Sequence, residues 1–215
     1  MSKLFVLLFV VTGTFIVSAS AWDYFLFVQL WPGSWLYHEN SRYNFTNNYF
    51  TVHGIWPQYN NGTWPQFCNS TNNHFNVSVL DPIHKNLTKY WTDFKHAPAF
   101  WEHEYMKHMT CTEDEFSDPY KFFWYGLDLR NKLDLFSLLS SNNIYPSNEH
   151  YYNINKISDV IKNKFGTSVV ITCEKNDIIT EIHFCMNKNL ELFDCPENEF
   201  SEGCKQDSVL YNVIN

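Results

Sequence analysis

Tyr49-Phe50-Thr51-Val52-His53-Gly54-Ile55-Trp56-Pro57 reads as a β-strand: β-branched and aromatic side chains dominate it, and Trp-Pro ends it. Toward the N-terminus, Asp23-Tyr24-Phe25-Leu26-Phe27-Val28-Gln29-Leu30-Trp31-Pro32 is a denser apolar–aromatic run stopped by Pro32-Gly33, which suits a buried strand. In the other direction, residues 58–80 are polar and Asn-rich and read as a loop. Pro98 and Ala99 precede a helical stretch from Phe100 to about Thr110. Apolar residues at 122, 123, 127, 129, 133, 135, 136 and 139 predict one helix over 119–140. A third helix is expected over 154–165, ended by Gly166. Ser168 to Cys173 and Ile178 to Cys185 predict a closing pair of strands. Strands and helices are mixed rather than strictly alternating, so the expected class is α+β, an antiparallel central sheet packed with helices. No linker marks a second domain within 22–215.

The 215 residues suffice for one domain, and 19 Phe, 13 Tyr and 8 Trp supply its core in large rigid pieces. With seven Gly, eight Pro and no internal repeat, the chain is neither collagen-like nor a solenoid. A net charge of −8 argues against coating a nucleic-acid backbone, which needs many Lys and Arg to displace counterions. One small cationic site remains compatible with it.

The first residues read as an export signal, 1–21. Lys3 precedes the apolar run Leu4 to Val17, and Val17-Ser18-Ala19-Ser20-Ala21 offers an Ala-x-Ala cleavage pattern. The run is short for the ~20 residues of a spanning helix, so a secreted protein without a stable membrane anchor is expected. Six Cys, none in a Cys-x-x-Cys pair, fit three disulfides better than zinc, and by count alone allow 15 connectivities. Sequons at Asn44, Asn61, Asn69, Asn76 and Asn86 point to a glycosylated, solvent-facing region.

Phe100-Trp101-Glu102-His103-Glu104-Tyr105-Met106-Lys107-His108-Met109-Thr110-Cys111 carries the chemistry. At about 100° per residue, with Trp101 at 0°, His103 falls near 200°, Lys107 near 240°, Cys111 near 280°, Glu104 near 300° and His108 near 340°. Two imidazoles, a carboxylate and an ammonium thus share one helix face. A solvated charged face is the ordinary reading of such a run, but the flanking aromatics and Cys111 imply a half-buried helix. A zinc-protease pair needs His at i, i+4; the i, i+5 spacing here and the adjacent Lys107 exclude that reading, and no metal or cofactor is expected. A metal-free imidazole pair can instead take one proton and give another. With a carboxylate and Lys beside them to stabilise a phosphorane-like transition state, they suit in-line transfer within RNA. There the 2′-hydroxyl attacks the adjacent phosphorus; DNA lacks that nucleophile.

Phe50-Thr51-Val52-His53-Gly54-Ile55-Trp56-Pro57 and Phe100 to Cys111 resemble, in the right order and about 50 residues apart, the two active-site segments of the ribonuclease T2 family. The resemblance extends over the chain after the signal. It implies a secreted, metal-independent endoribonuclease acting on single-stranded RNA, with His108 as general base toward the 2′-hydroxyl and His53 as general acid at the 5′-oxygen. Glu104 and Lys107 would stabilise the transition state, and His103 would hold the phosphate. The product would be a 2′,3′-cyclic phosphate. The resemblance also implies disulfides Cys68–Cys111, Cys173–Cys204 and Cys185–Cys195. By similarity, Trp56, Gln58 and Trp64 would line one base site and Phe100 the other, with core packing as the alternative for each.

Two departures from the family pattern stand out. Met109 replaces a usual Gly but falls near 80°, almost opposite the catalytic arc, so repacking is expected rather than lost chemistry. A Cys expected after Trp31-Pro32 in many plant relatives is absent, with Ser34-Trp35-Leu36 in its place. His38, His74, His84, His96, His150 and His183 match no catalytic position, and surface or structural roles are expected for them. The alternative is a secreted glycoprotein that keeps the scaffold but acts by binding, in signalling or immunomodulation, with its glycans recognised by receptors. Intact His53, Glu104, Lys107 and His108 favour an enzyme, expected to work as a monomer.

Overall fold

The computed structural model describes residues 22–39, 45, 48–68, 74–92, 97–112 and 114–214. The signal-like segment and the sequons at Asn44 and Asn69 lie outside the described residues. Seven strands among the described residues form one sheet: β1 (Tyr24–Leu30), β2 (Thr51–Gln58), β3 (Tyr151–Asn153), β4 (Val170–Glu174), β5 (Ile178–Met186), β6 (Leu192–Phe193) and β7 (Ser208–Leu210). Their order is β2-β1-β5-β7-β3, with β4 and β6 also on β5. The expected antiparallel sheet needs one correction: β5 and β7 run parallel, meeting at Ile178 and Leu210, while the other pairings are antiparallel.

The helices are α1 (Pro32–Glu39), α2 (His84–Tyr90), α3 (Ala97–Lys107), α4 (Pro119–Lys132), α5 (Leu135–Ser141) and α6 (Ile154–Phe165). Pro32 stops β1 as expected but also opens α1, because its fixed φ suits a first helical turn. Gln58 extends β2 beyond the expected strand, and Val77–Ile83 forms a 3-10 turn inside the expected loop. The helix expected over 119–140 is two helices. Asp134 accepts from the Ser137 backbone N–H at 3.3 Å and starts α5 as an N-cap, so the ladder restarts although the apolar spacing runs on. Gly166 ends α6 at φ 76°, a conformation that costs glycine little.

Alternation along the strands gives the sheet two unlike faces. Phe25, Phe27, Ile55, Ile182 and Phe184 belong to the main core, with Trp31, Trp91, Trp101, Phe122 and Phe123 from the connecting segments and helices. Leu26, Val28, Val170 and Cys185 belong to a second, small apolar cluster that Trp56 packs against. By register, Leu26 stands opposite Cys185 and Trp56, and Val28 opposite His183 and Gly54. Glu181 and His183, two residues apart, therefore share the face of Trp56 and Gln58.

Candidate active site

β1 and β2 pair with a register shift: Val28 faces Gly54 and Gln29 faces Val52, leaving His53 as the extra residue of a bulge. In an unbroken strand His53 and Trp56, three apart, would point to opposite faces. The bulge brings both to one side, with ring centroids 4.9 Å apart. Trp91 fixes the bulge from the core by donating its indole N–H to the His53 carbonyl at 2.9 Å. Gly54 follows because a Cβ there would collide with the Trp56 indole and the Glu104 carboxylate.

α3 brings the second group across the end of this sheet face. It ends at Lys107, earlier than the Thr110 expected, and Met109–Cys111 forms a 3-10 turn. His108 sits at the junction, its backbone N–H donating to the Glu104 carbonyl at 3.1 Å. The disulfide Cys68–Cys111 and the Phe67 backbone N–H, which donates to the Lys107 carbonyl at 2.9 Å, hold this end of the helix to the segment after β2. Cys173–Cys204 and Cys185–Cys195 complete three bonds with the pairing the resemblance implied. Closing a 43-residue separation contributes about 4 kcal/mol on the chain-entropy account. The double variant Cys68→Ser/Cys111→Ser should therefore lose about that much in denaturant unfolding; an unchanged midpoint would contradict it.

Trp56 is the hub. Its indole N–H donates to Glu104 Oε2 at 3.1 Å, its ring lies near parallel to that of His108 at 5.4 Å (26°), and His53 stands edge-on. His53 and His108 thus flank one indole. Phe100 lies 5.8 Å from His53 on another side. A cleft of about 750 Å³ opens beside this group, lined by Trp56, Gln58, Trp64, Lys107, His108, Glu181 and His183 among others. Trp64 is 51% exposed. His103 is exposed, its ring 6.3 Å from that of Phe67, and does not line the cleft. Met109 is buried in the main core, away from the cleft.

The electrostatics divide the two imidazoles. Burial opposes charge on His53, but the Glu181 carboxylate, which its Nδ1 contacts, and Glu104 more than offset burial and Lys107; its pKa is raised. His108 is only 4% exposed, and burial, Lys107, His53 and His103 push its pKa down to about 2. Its Nδ1 is buried without a partner. At mildly acid pH one ring is therefore charged and the other neutral. Burial pushes Glu104 up to about 7 against the opposing pull of His53, the Trp56 N–H and Lys107. Burial opposes the Glu181 charge too, yet His53 and His183 hold its pKa far below the usual carboxylate range.

His183 was expected in a surface or structural role. It is buried, lines the cleft, and its Nε2 is 3.0 Å from Glu181 Oε2. Glu181 was missed as well. The only signal was the alternation Glu181-Ile182-His183-Phe184, two polar residues on one face of a strand whose other face carries Thr180 among apolar residues. His74, His84 and His150 are exposed, as expected, whereas His96 and the His38 side chain fall outside the described residues. Asn61, Asn76 and Asn86 are exposed, and Asn61 lies at the cleft. No helix among the described residues is long and apolar enough to cross a membrane.

A family model, the Ribonuclease T2 family, matches residues 22–195. Extracellular ribonuclease LE of Solanum lycopersicum is 31% identical over 209 residues, 90% of each chain. Ribonuclease Oy of Magallana gigas is 31% identical over 193 residues, 84% of this chain and 91% of its own. Among solved structures, RNase NT in complex with 5′-AMP superposes with a TM-score of 0.77 at 28% identity, covering 89% of this chain and 98% of that one.

Proposed function

The chain belongs to the ribonuclease T2 family and is an endoribonuclease of that type, and on that premise we propose that it cleaves single-stranded RNA without a metal, by attack of the 2′-hydroxyl on the adjacent phosphorus. Neutral His108 accepts the 2′-hydroxyl proton. Charged His53 donates to the departing 5′-oxygen, so a P–O bond to the 2′-oxygen forms as the bond to the 5′-oxygen breaks. The products are a 2′,3′-cyclic phosphate and a free 5′-hydroxyl. Lys107 and Glu104, itself largely neutral below about pH 7, stabilise the crowded equatorial oxygens. His103, exposed and near enough to Lys107 and His53 to feel their charge, holds a phosphate of the incoming strand. Trp56, Gln58 and Trp64 receive one base in the cleft and Phe100 the other, since stacking on aromatics suits unpaired bases. The observation that supports this most directly is the placement of both imidazoles against Trp56, His53 edge-on and His108 near parallel, with their pKa values shifted in opposite directions. On this reading the leader is removed after Ala21 and the protein acts as a secreted, glycosylated monomer.

The test is incubation with a single-stranded RNA and its all-2′-deoxy counterpart, both in EDTA, with products resolved by mass spectrometry. RNA should give 2′,3′-cyclic phosphate ends and the deoxy strand should stay intact; cleavage of both, or none until zinc is added, would refute the proposal. The pH dependence has a definite sign. His108 must be unprotonated and its pKa is lowered, so its contribution persists well below the ordinary imidazole value of about 6.5. His53 must be protonated and its pKa is raised, so kcat/KM should fall on the alkaline side only above about pH 6.5. Loss of rate on raising the pH from 5 to 6 would contradict this.

A further inference from the structure

We propose that Glu181 is the positioning residue for the proton-donating His53, and that His183 in turn holds Glu181 in place. The inference rests on the assignment of His53 as general acid. Glu181 and His183 lie on β5, two strands from His53, yet register and the β2 bulge turn all three onto one sheet face. Glu181 uses both oxygens: Oε1 contacts His53 Nδ1, and Oε2 lies 3.0 Å from His183 Nε2. Nδ1–H of His53 is thus donated to the carboxylate, which leaves Nε2–H as the only ring proton free for a leaving oxygen. An imidazole with its Nδ1 bound to a carboxylate is held in one tautomer and one ring orientation, and its cationic form is stabilised. His183 Nδ1 is buried without a partner. A carboxylate only accepts, so His183 carries a proton on Nε2 and donates it to Glu181.

The groups facing His53 from the packed elements are Glu181 on β5, Trp56 on β2, Phe100, His103, Glu104 and Lys107 on α3, and His108 just beyond it. Glu104 donates no constraint of this kind, because its bond is to the Trp56 indole rather than to the His53 ring. Among the described residues, Glu181 alone binds the ring nitrogen that sets the tautomer.

The step it supports is proton delivery to the leaving group, so the effect must depend on how much the leaving group needs a proton. In Glu181→Gln, kcat/KM for a dinucleotide, whose leaving group is a 5′-alkoxide, should fall by about 100-fold. With a nucleoside 3′-(4-nitrophenyl phosphate), whose leaving phenolate needs no proton, the same variant should stay within about threefold of the unaltered protein. The alkaline limb of the dinucleotide profile should also move to lower pH. Equal losses on both substrates, or an unmoved limb, would overturn the proposal, since a merely structural role slows both reactions alike. His53→Ala is run alongside. If it cleaves the dinucleotide normally, the general-acid assignment itself fails; if it loses activity while Glu181→Gln does not, only the role of Glu181 fails. Should Glu181→Gln not fold, ¹⁵N-histidine NMR of the unaltered protein decides. The His53 Nδ1 proton should persist through neutral pH in a bonded, downfield position, and an Nδ1 that is unprotonated at pH 6 would refute the proposal.

Discussion

Replacing His53 by phenylalanine should lower kcat/KM on single-stranded RNA by between about 10² and 10⁴ while leaving cooperative thermal unfolding in place. The ring is partly exposed and its pKa is raised, and phenylalanine keeps the contacts with Trp56 and Phe100 while removing its proton. His108→Phe should fall by a similar factor for the opposite reason: the acceptor is lost rather than the donor. The double variant should be little worse than either single one, because the two rings serve the same proton-transfer step and groups acting as a unit are not additive. Losses that multiply would mean that the rings serve separate steps.

Trp91→Ala should be the most damaging change outside the cleft, costing about 3–5 kcal/mol in denaturant unfolding. The indole is fully buried among Phe122 and Phe123, and Gly126 of α4 is bare because a Cβ would run into it. Its N–H satisfies the His53 carbonyl at the β2 bulge, and its own carbonyl accepts from the Trp101 indole at 2.7 Å. Truncation therefore leaves a cavity and strips the partner from a carbonyl at the catalytic strand. Activity measured on the fraction still folded should fall too, because the bulge that aims His53 loses its anchor. A variant as stable as the parent would show that this packing contributes little.

What could be read from the residues in order, and what could not, follows from how far each feature reaches along the chain. β1, β2 and α6 were legible because their signals are local: apolar–aromatic runs closed by Pro32-Gly33 and Trp56-Pro57, and a helix ended by Gly166. The α4–α5 break was not, since one apolar spacing runs through Leu133 and Leu135 and the single capping carboxylate of Asp134 outweighs it. Of the site, His53, Glu104, Lys107 and His108 lie in two dense motifs whose chemistry could be argued residue by residue. The ideal helical wheel failed only at its end, where His108 leaves α3. Glu181 and His183 stayed hidden because their place in the site depends on the spatial order β2-β1-β5 and on a bulge, and neither leaves a mark in the residues around them.

The central claim is that His53 and His108 act on one phosphodiester from opposite ends of the same displacement. A crystal structure with a 2′-deoxy dinucleotide, which binds but lacks the nucleophile, tests it most directly. The phosphorus should lie between the two rings, with His53 Nε2 within about 3 Å of the 5′-oxygen and His108 Nε2 facing the sugar carbon that would bear the 2′-hydroxyl. A phosphate held elsewhere in the cleft, with one of the two rings out of reach, would contradict the account.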